Sequence, residues 1–288
     1  MKKRFPVILS VLFAAMVAAG VIGTIASRPD DTSQVSREGD RLEKSRASVA
    51  TGAGVVAEAS DLLDVAVPAD LPDLRKDYTG FSVSFNRENH TPNWVAWELL
   101  GSETSGETGR YNKFWQDTDI EGCPVTRDYS NSGYDRGHMC PAADQKWSRE
   151  AMVDCFSLAN IVPQAKSLNT GAWKTLESKE RLWAQRDSAI LIVAGPIYGA
   201  SETQRIGETG VRVPGAFFKV LAAPYLAEPR GIAFVYPNMT APGNMENYVM
   251  TIREVEKLTG YDFFHNLPDD MEDAIETVSS FRDWNRNR

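Results

Sequence analysis

The stretch "GYDRGHMCPAAD", residues 133–144, sets an Asp, an Arg and a His within four positions of a chain that has only three histidines. Imidazole titrates near neutrality, so His138 can take a proton from water at physiological pH. Two residues before it, the Arg136 guanidinium can grip a phosphate oxygen or offset charge developing on one. The pair suits hydrolysis of a phosphate ester. Four letters alone equally describe a structural histidine beside an Asp135–Arg136 surface ion pair, so the reading needs a second group.

That group follows in "LANIVPQAKSLNTGAWKTLESKE", where Asn160, Gln164, Asn169 and Glu177 punctuate an otherwise apolar and small-residue stretch. Asn169 stands where the helix carrying Trp173 and Leu176 begins, and two readings are open. It is an N-terminal cap, a role asparagine often fills, or its amide oxygen is a hard, neutral ligand for Mg²⁺, which keeps several waters and needs few protein donors. A neutral ligand leaves the cation's double charge available to a scissile phosphate. Glu177, two helical turns along, is placed to hold the cation's waters.

Elements must deliver these groups. Phe81, Val83 and Phe85 alternate with polar residues in "GFSVSFNREN", and "NWVAWELL" follows as a second strand, which suggests an antiparallel pair. Further strands are expected in "AILIVAGPIYG", "VRVPGAFFKVLAAP" and "GIAFVYPN", each bounded by Gly or Pro. One helix is expected from about Thr170 through "GAWKTLESKERLWAQR". Another runs through "MENYVMTIREVEKLTG", where Tyr248, Ile252, Val255 and Leu258 repeat at helical spacing and Gly260 supplies the stop. The mixture has no regular βαβ rhythm, so the fold class is α+β with a largely antiparallel sheet.

Length and composition allow one large domain: 288 residues, 42% hydrophobic and 24% charged. Residues 1–26 differ, with Lys2, Lys3 and Arg4 ahead of an uncharged run over residues 5–26. This is the pattern of a signal peptide, or of an N-terminal membrane anchor since the run is long enough to span a bilayer. Either implies export: periplasmic, extracellular, or held at the outer face of the inner membrane. Residues 27–70 hold no aromatic residue and read as a flexible linker, leaving 71–288 as the folded domain. The net charge of −8 argues against passive coating of a polyanion, though a catalyst that must release product needs only a local basic cleft. Cys123, Cys140 and Cys155 form no CxxC pair, which argues against structural zinc. In an exported protein they permit one disulfide, with Cys140–Cys155 favoured.

"YDRGHMCPAAD" followed by "AMVDCFSLANIVPQAKSLNTGAWKTLE" closely resembles the DNA/RNA non-specific endonuclease family, and the likeness extends over about residues 71–284 through "NWVAWELL", "VAGPIY", "RVPGAFFKV" and "LTGYDFF". The resemblance implies a ββα-metal (His-Me finger) site in which a β-hairpin presents the histidine and the following helix the metal-binding asparagine. On that reading His138 is the general base, Asn169 the single protein ligand of Mg²⁺ (or Mn²⁺ in its place) and Glu177 the carboxylate that orders metal-bound water. Asn160 is a supporting active-site amide, Arg136 the motif arginine and Arg110, in "GRYNKFWQD", a phosphate contact. The implied activity is Mg²⁺-dependent cleavage of DNA and RNA to 5′-phosphate ends. Nothing in that chemistry reads a base edge, so little sequence specificity is expected. Two other readings stay open: a nucleic-acid- or partner-binding protein that keeps the scaffold, and a phosphodiesterase acting on a different ester.

Several residues read as structural. His90 and His265 lie far in sequence from the motif, and Asp144 is expected to hydrogen-bond rather than ligate. Trp94, Trp97, Trp173, Trp183, Phe217 and Phe218 are expected in the core. Lys174, Lys179 and Lys219 read as solvated surface lysines or as the lining of a basic cleft.

Overall fold

The computed structural model describes residues 59–199 and 204–286. The expected export segment over residues 1–26, and residues 27–58 of the expected linker, lie outside the described residues. The rest of that linker belongs to the domain. Ala59–Leu62 forms a helical turn (α1), and Val65–Ala66 (β1) pairs antiparallel with Asp262–Phe263 (β13), with Leu62 and Val65 fully buried. Aliphatic side chains supply its apolar anchor, which is why a stretch without aromatics reads as linker and folds as domain.

The frame is a seven-stranded, wholly antiparallel sheet in the order β12-β11-β10-β7-β4-β3-β2. Its strands are Leu74–Asp77 (β2), Ser82–Asn86 (β3), Thr91–Leu100 (β4), Ala189–Ile197 (β7), Ala216–Ala223 (β10), Arg230–Pro237 (β11) and Val249–Met250 (β12). Two-stranded hairpins are formed by Asp135–His138 (β5) with Ile161–Gln164 (β6), and by Arg205–Ile206 (β8) with Val211–Arg212 (β9). Central strands are predominantly apolar along their length because both sheet faces are covered. Val95, Trp97, Leu99, Ile190, Ile192 and Phe217 face one core; Trp94, Ala96, Leu191, Val193 and Phe218 face the other.

The first core carries the site, packed by the β5–β6 hairpin, Arg149–Asp154 (α2), Lys166–Leu168 (α3) and Lys174–Asp187 (α4), with Phe281–Asn285 (α7) contributing Trp284. The second is closed by Ile252–Thr259 (α5) and Asp269–Thr277 (α6). Among the described residues no helix is long and apolar enough to cross a membrane.

The expected helix through "MENYVMTIREVEKLTG" is shorter than its periodicity suggests. Residues 245–248 are a 3₁₀ turn and 249–250 join the sheet edge, and only then does α5 begin, fixed by the Thr251–Glu254 capping box. It ends as expected at Gly260, whose φ of 75° is left-handed. The six expected core aromatics are all buried.

The expected Cys140–Cys155 disulfide is absent: all three cysteines are buried thiols. The sulfurs are engaged otherwise, since Gln145 Nε2 donates to Cys140 Sγ (3.1 Å) and Cys155 Sγ donates to the Met152 carbonyl (3.2 Å). Their backbones are joined instead by Asn160.

Candidate active site

β5 and β6 pair in a register that sets His138 opposite Ile161 and Asp135 opposite Gln164. Between them Gly137 has no side chain to spare, since a Cβ there would overlap the buried Gln164 side chain. Beyond the hairpin, Asn160 is fully buried and grips the chain that leaves His138. Its Oδ1 accepts from Cys140 N (2.9 Å), its Nδ2 donates to the carbonyls of Cys140 and Cys155 (2.9 Å each), and its carbonyl accepts from Met139 N (3.0 Å). The amide is spent on backbone, so Asn160 holds the chain that follows His138.

His138 is 9% exposed, walled by Phe114 (ring centroids 5.3 Å apart) and Phe156 (5.0 Å, edge-on). Its Nε2 is buried without a hydrogen-bond partner among the described residues. Arg136 lies over Phe114 (4.6 Å) and Arg110 over Phe156 (5.0 Å), one guanidinium on each wall ring. Burial, then Arg110 and Arg136, push the imidazole down to about 3. The ring is therefore neutral at pH 7, with a lone pair to offer.

Asn169 is joined to this hairpin by one bond, Nδ2 to Asp135 Oδ2 at 2.9 Å. A carboxylate only accepts, so the nitrogen must face it and Oδ1 is released. The cap reading of Asn169 does not hold. α3 runs into a π-helical turn over Asn169–Trp173, and the Asn169 N–H itself donates to the Ala165 carbonyl (2.9 Å). The turn breaks at Gly171 (φ −107°, ψ −111°) before α4 begins at Lys174. This helical entry is held to the sheet by Asn238, which accepts from Ala165 N (2.7 Å) and donates to the carbonyls of Pro163 and Pro214 (3.1 and 2.9 Å). A hard, neutral oxygen oriented by a neighbouring carboxylate fits a divalent cation.

Glu177 lies among the charges packed beneath α4, and no hydrogen bond joins it to His138 or Asn169. Lys219, fully buried over Trp173 (4.5 Å), donates to Glu180 (3.1 Å), while Asp144 accepts from Arg181 (2.8 Å) and Trp97 Nε1 (3.2 Å). Asp144 is thus a hydrogen-bonding residue, as expected. Lys219 is neither a surface nor a cleft lysine, because it counters buried carboxylates. Burial outweighs Lys219 and pushes both Glu177 and Glu180 up to about 7. His90 Nδ1 donates to the Gly122 carbonyl (2.8 Å) and His265 lies 3.5 Å from Asp64, both apart from this site.

Sequence reasoning missed Asp135 as the group that orients Asn169, Phe114 and Phe156 as the walls, and Asn238 as the clamp. Asp135 was legible in principle, since it opens the same motif. The walls and the clamp arrive from distant segments.

Residues 58–270 match the DNA/RNA non-specific endonuclease family. Mouse mitochondrial nuclease EXOG is 33% identical over 66% of this chain, which spans 56% of that protein's length; the fission-yeast mitochondrial Nuclease 1 is 31% identical over 73% of this chain and 71% of its own. A nuclease of the bacterium Nostoc is 34% identical over 68% and 75%. A solved EndoG structure, in complex with EndoGI, superposes with a TM-score of 0.64 at 26% identity, over 69% of this chain and 90% of that one. The expectation of export is corrected here: relatives named as mitochondrial point away from a secreted or membrane-held protein. Family match, relatives and fold agree, and the chain belongs to the DNA/RNA non-specific endonuclease family.

Proposed function

We propose that the chain is a Mg²⁺-dependent, sugar-non-specific endonuclease that hydrolyses DNA and RNA to 5′-phosphate ends. The observation that carries it is the neutral, walled His138 set between Arg110 and Arg136, with Asn169 turned toward the same hairpin by Asp135. Arg110 and Arg136 take the phosphate oxygens and offset the charge added in the transition state. His138 accepts the proton of the attacking water, and Asn160 fixes the backbone that aims it. A bound anion offsets the two guanidiniums that depress the imidazole, so His138 becomes a better base once substrate arrives. Asn169 Oδ1 would hold the divalent cation and Glu177 its waters. When bound, the cation neutralises the scissile phosphate and stabilises the departing 3′ oxygen.

The test incubates the full chain, wild type and His138→Ala, with plasmid DNA and with RNA, in Mg²⁺ and in EDTA. Metal-dependent cleavage of both polymers is expected, with a loss of about 10²–10⁴-fold in His138→Ala. A folded wild type that cuts neither polymer would mean a binding role or another phosphodiester. Equal activity in the variant would remove His138 from the mechanism.

A further inference from the structure

Three arginines sit on one connected set of rings. Phe156 touches His138 edge-on (5.0 Å), Phe114 (5.1 Å) and Tyr111 (5.9 Å). Arg136 stacks on Phe114, Arg110 on Phe156 and Arg149 on Tyr111 (5.3 Å). The first two border the imidazole. Arg149 extends the series outward, at the start of α2.

Charge pairing separates these three from most of the described arginines. In this acidic chain several exposed arginines take a carboxylate, as Arg87 does with Glu121, Arg127 with Glu208 and Arg253 with Asp273, though Arg205 bonds backbone carbonyls instead. None of Arg110, Arg136 and Arg149 has an ion-pair partner among the described residues. The carboxylate adjacent to Arg149 in sequence, Glu150, accepts from the Ser148 hydroxyl (2.9 Å). A cation in the first turn does nothing for its own helix either, since that end already carries the positive pole of the peptide dipoles. Stacking a planar guanidinium on a ring holds it in one orientation while its N–H edge stays available to an anion.

We infer that Arg149, held on Tyr111, is an outer phosphate contact of the polynucleotide track, beyond the Arg110–His138–Arg136 centre. The inference rests on the endonuclease reading for its substrate class. The ring-to-ring separations place the Arg149 guanidinium within about 16 Å of the His138 ring. At about 3.4 Å of rise per nucleotide in a strand, that is at most four to five nucleotides from the reacting phosphate. A polymer running through the centre reaches it, and an outer contact predicts that a dinucleotide bound at the centre does not use it.

The test measures equilibrium binding of single-stranded DNA, single-stranded RNA and a dinucleotide in EDTA across a salt series, with kcat and KM in Mg²⁺ alongside. The proteins are full-chain wild type, Arg149→Ala, Arg149→Lys, Tyr111→Leu and, as a control outside the site, Lys257→Ala on α5. Arg149→Ala should weaken polymer binding about five- to tenfold for both sugars and flatten the log–log salt slope by about one, with the loss in KM more than in kcat. Arg149→Lys should keep the slope and recover part of the affinity, Tyr111→Leu should lose affinity at unchanged slope, and Lys257→Ala should match wild type. An unchanged slope and affinity in Arg149→Ala overturns the assignment, as does an equal loss on the dinucleotide, which would make Arg149 a prop for the centre. If wild type binds polymer but cuts nothing, the nuclease reading fails while the slope still decides Arg149. If wild type binds no polymer, both fail.

Discussion

Asn169 Nδ2 donates to Asp135 Oδ2 across 2.9 Å, and this bond ties the strand that carries His138 to the helical entry that carries the Asn169 amide. His138 and Asn169, the proposed base and ligand, are therefore set relative to each other by a residue to which the proposal gives no part in the reaction. Asp135→Ala releases the amide to rotate and should cost about 10–100-fold in metal affinity or in activity. Titrating activity against Mg²⁺ checks this, and an unchanged half-saturating concentration would show that Asp135 does not orient the ligand.

Asn160 replaces a covalent staple with three side-chain hydrogen bonds to the backbones of Cys140 and Cys155. Asn160→Ala strands these buried groups, each worth about 1–3 kcal/mol when left unmade. Urea unfolding should show a loss of at least about 3 kcal/mol, and kcat should fall as the chain behind His138 loosens. Full activity in a destabilised variant would limit Asn160 to stability.

Lys219 and Glu180 are a wholly buried pair at 3.1 Å. Removing one partner leaves an uncompensated charge, so Lys219→Met should cost about 3–5 kcal/mol. The double variant Lys219→Met/Glu180→Leu should recover much of it. A double-mutant cycle in denaturant gives the answer, and additive losses would mean that the pair is not coupled.

Asp187 answers to acid. Burial alone would raise its carboxyl, but hydrogen bonds and charge from Arg186 (2.5 Å) and Arg230 outweigh burial and hold it below the usual carboxylate range. A carboxyl whose folded pKa is depressed contributes stability that is present above its unfolded value of about 4. That contribution disappears as pH falls through the lower folded value. Asp187→Asn should therefore be markedly less stable than wild type at pH 7, with the gap closing in strong acid. A gap that stays constant with pH would show that the carboxylate charge is not what the two arginines hold.

Much of the frame was legible. Alternation and turn residues located the central strands, and the Asp-Arg-Gly-His stretch with Asn169 marked the hairpin and helical entry that Asp135 joins. The failures share a cause. Whether Leu62 and Val65 are linker or core depends on Phe263, two hundred residues away in sequence, and whether Lys219 is surface or buried depends on Glu180. Residues 245–250 carry a helical pattern but hydrogen-bond as a 3₁₀ turn and sheet edge, because Met250 pairs with Ala233. Local pattern records which face a residue prefers, and tertiary partners decide what meets it.

The three buried thiols carry a wider consequence. Burial pushes Cys123 and Cys155 up to about 12, and Cys140 is raised as well, so none offers a thiolate near neutral pH. The segment from His138 to Cys155 is closed by an amide, which no reductant cleaves and no mild oxidant forms. Fold and site should thus be indifferent to dithiothreitol, and the same chain can work on either side of a redox boundary.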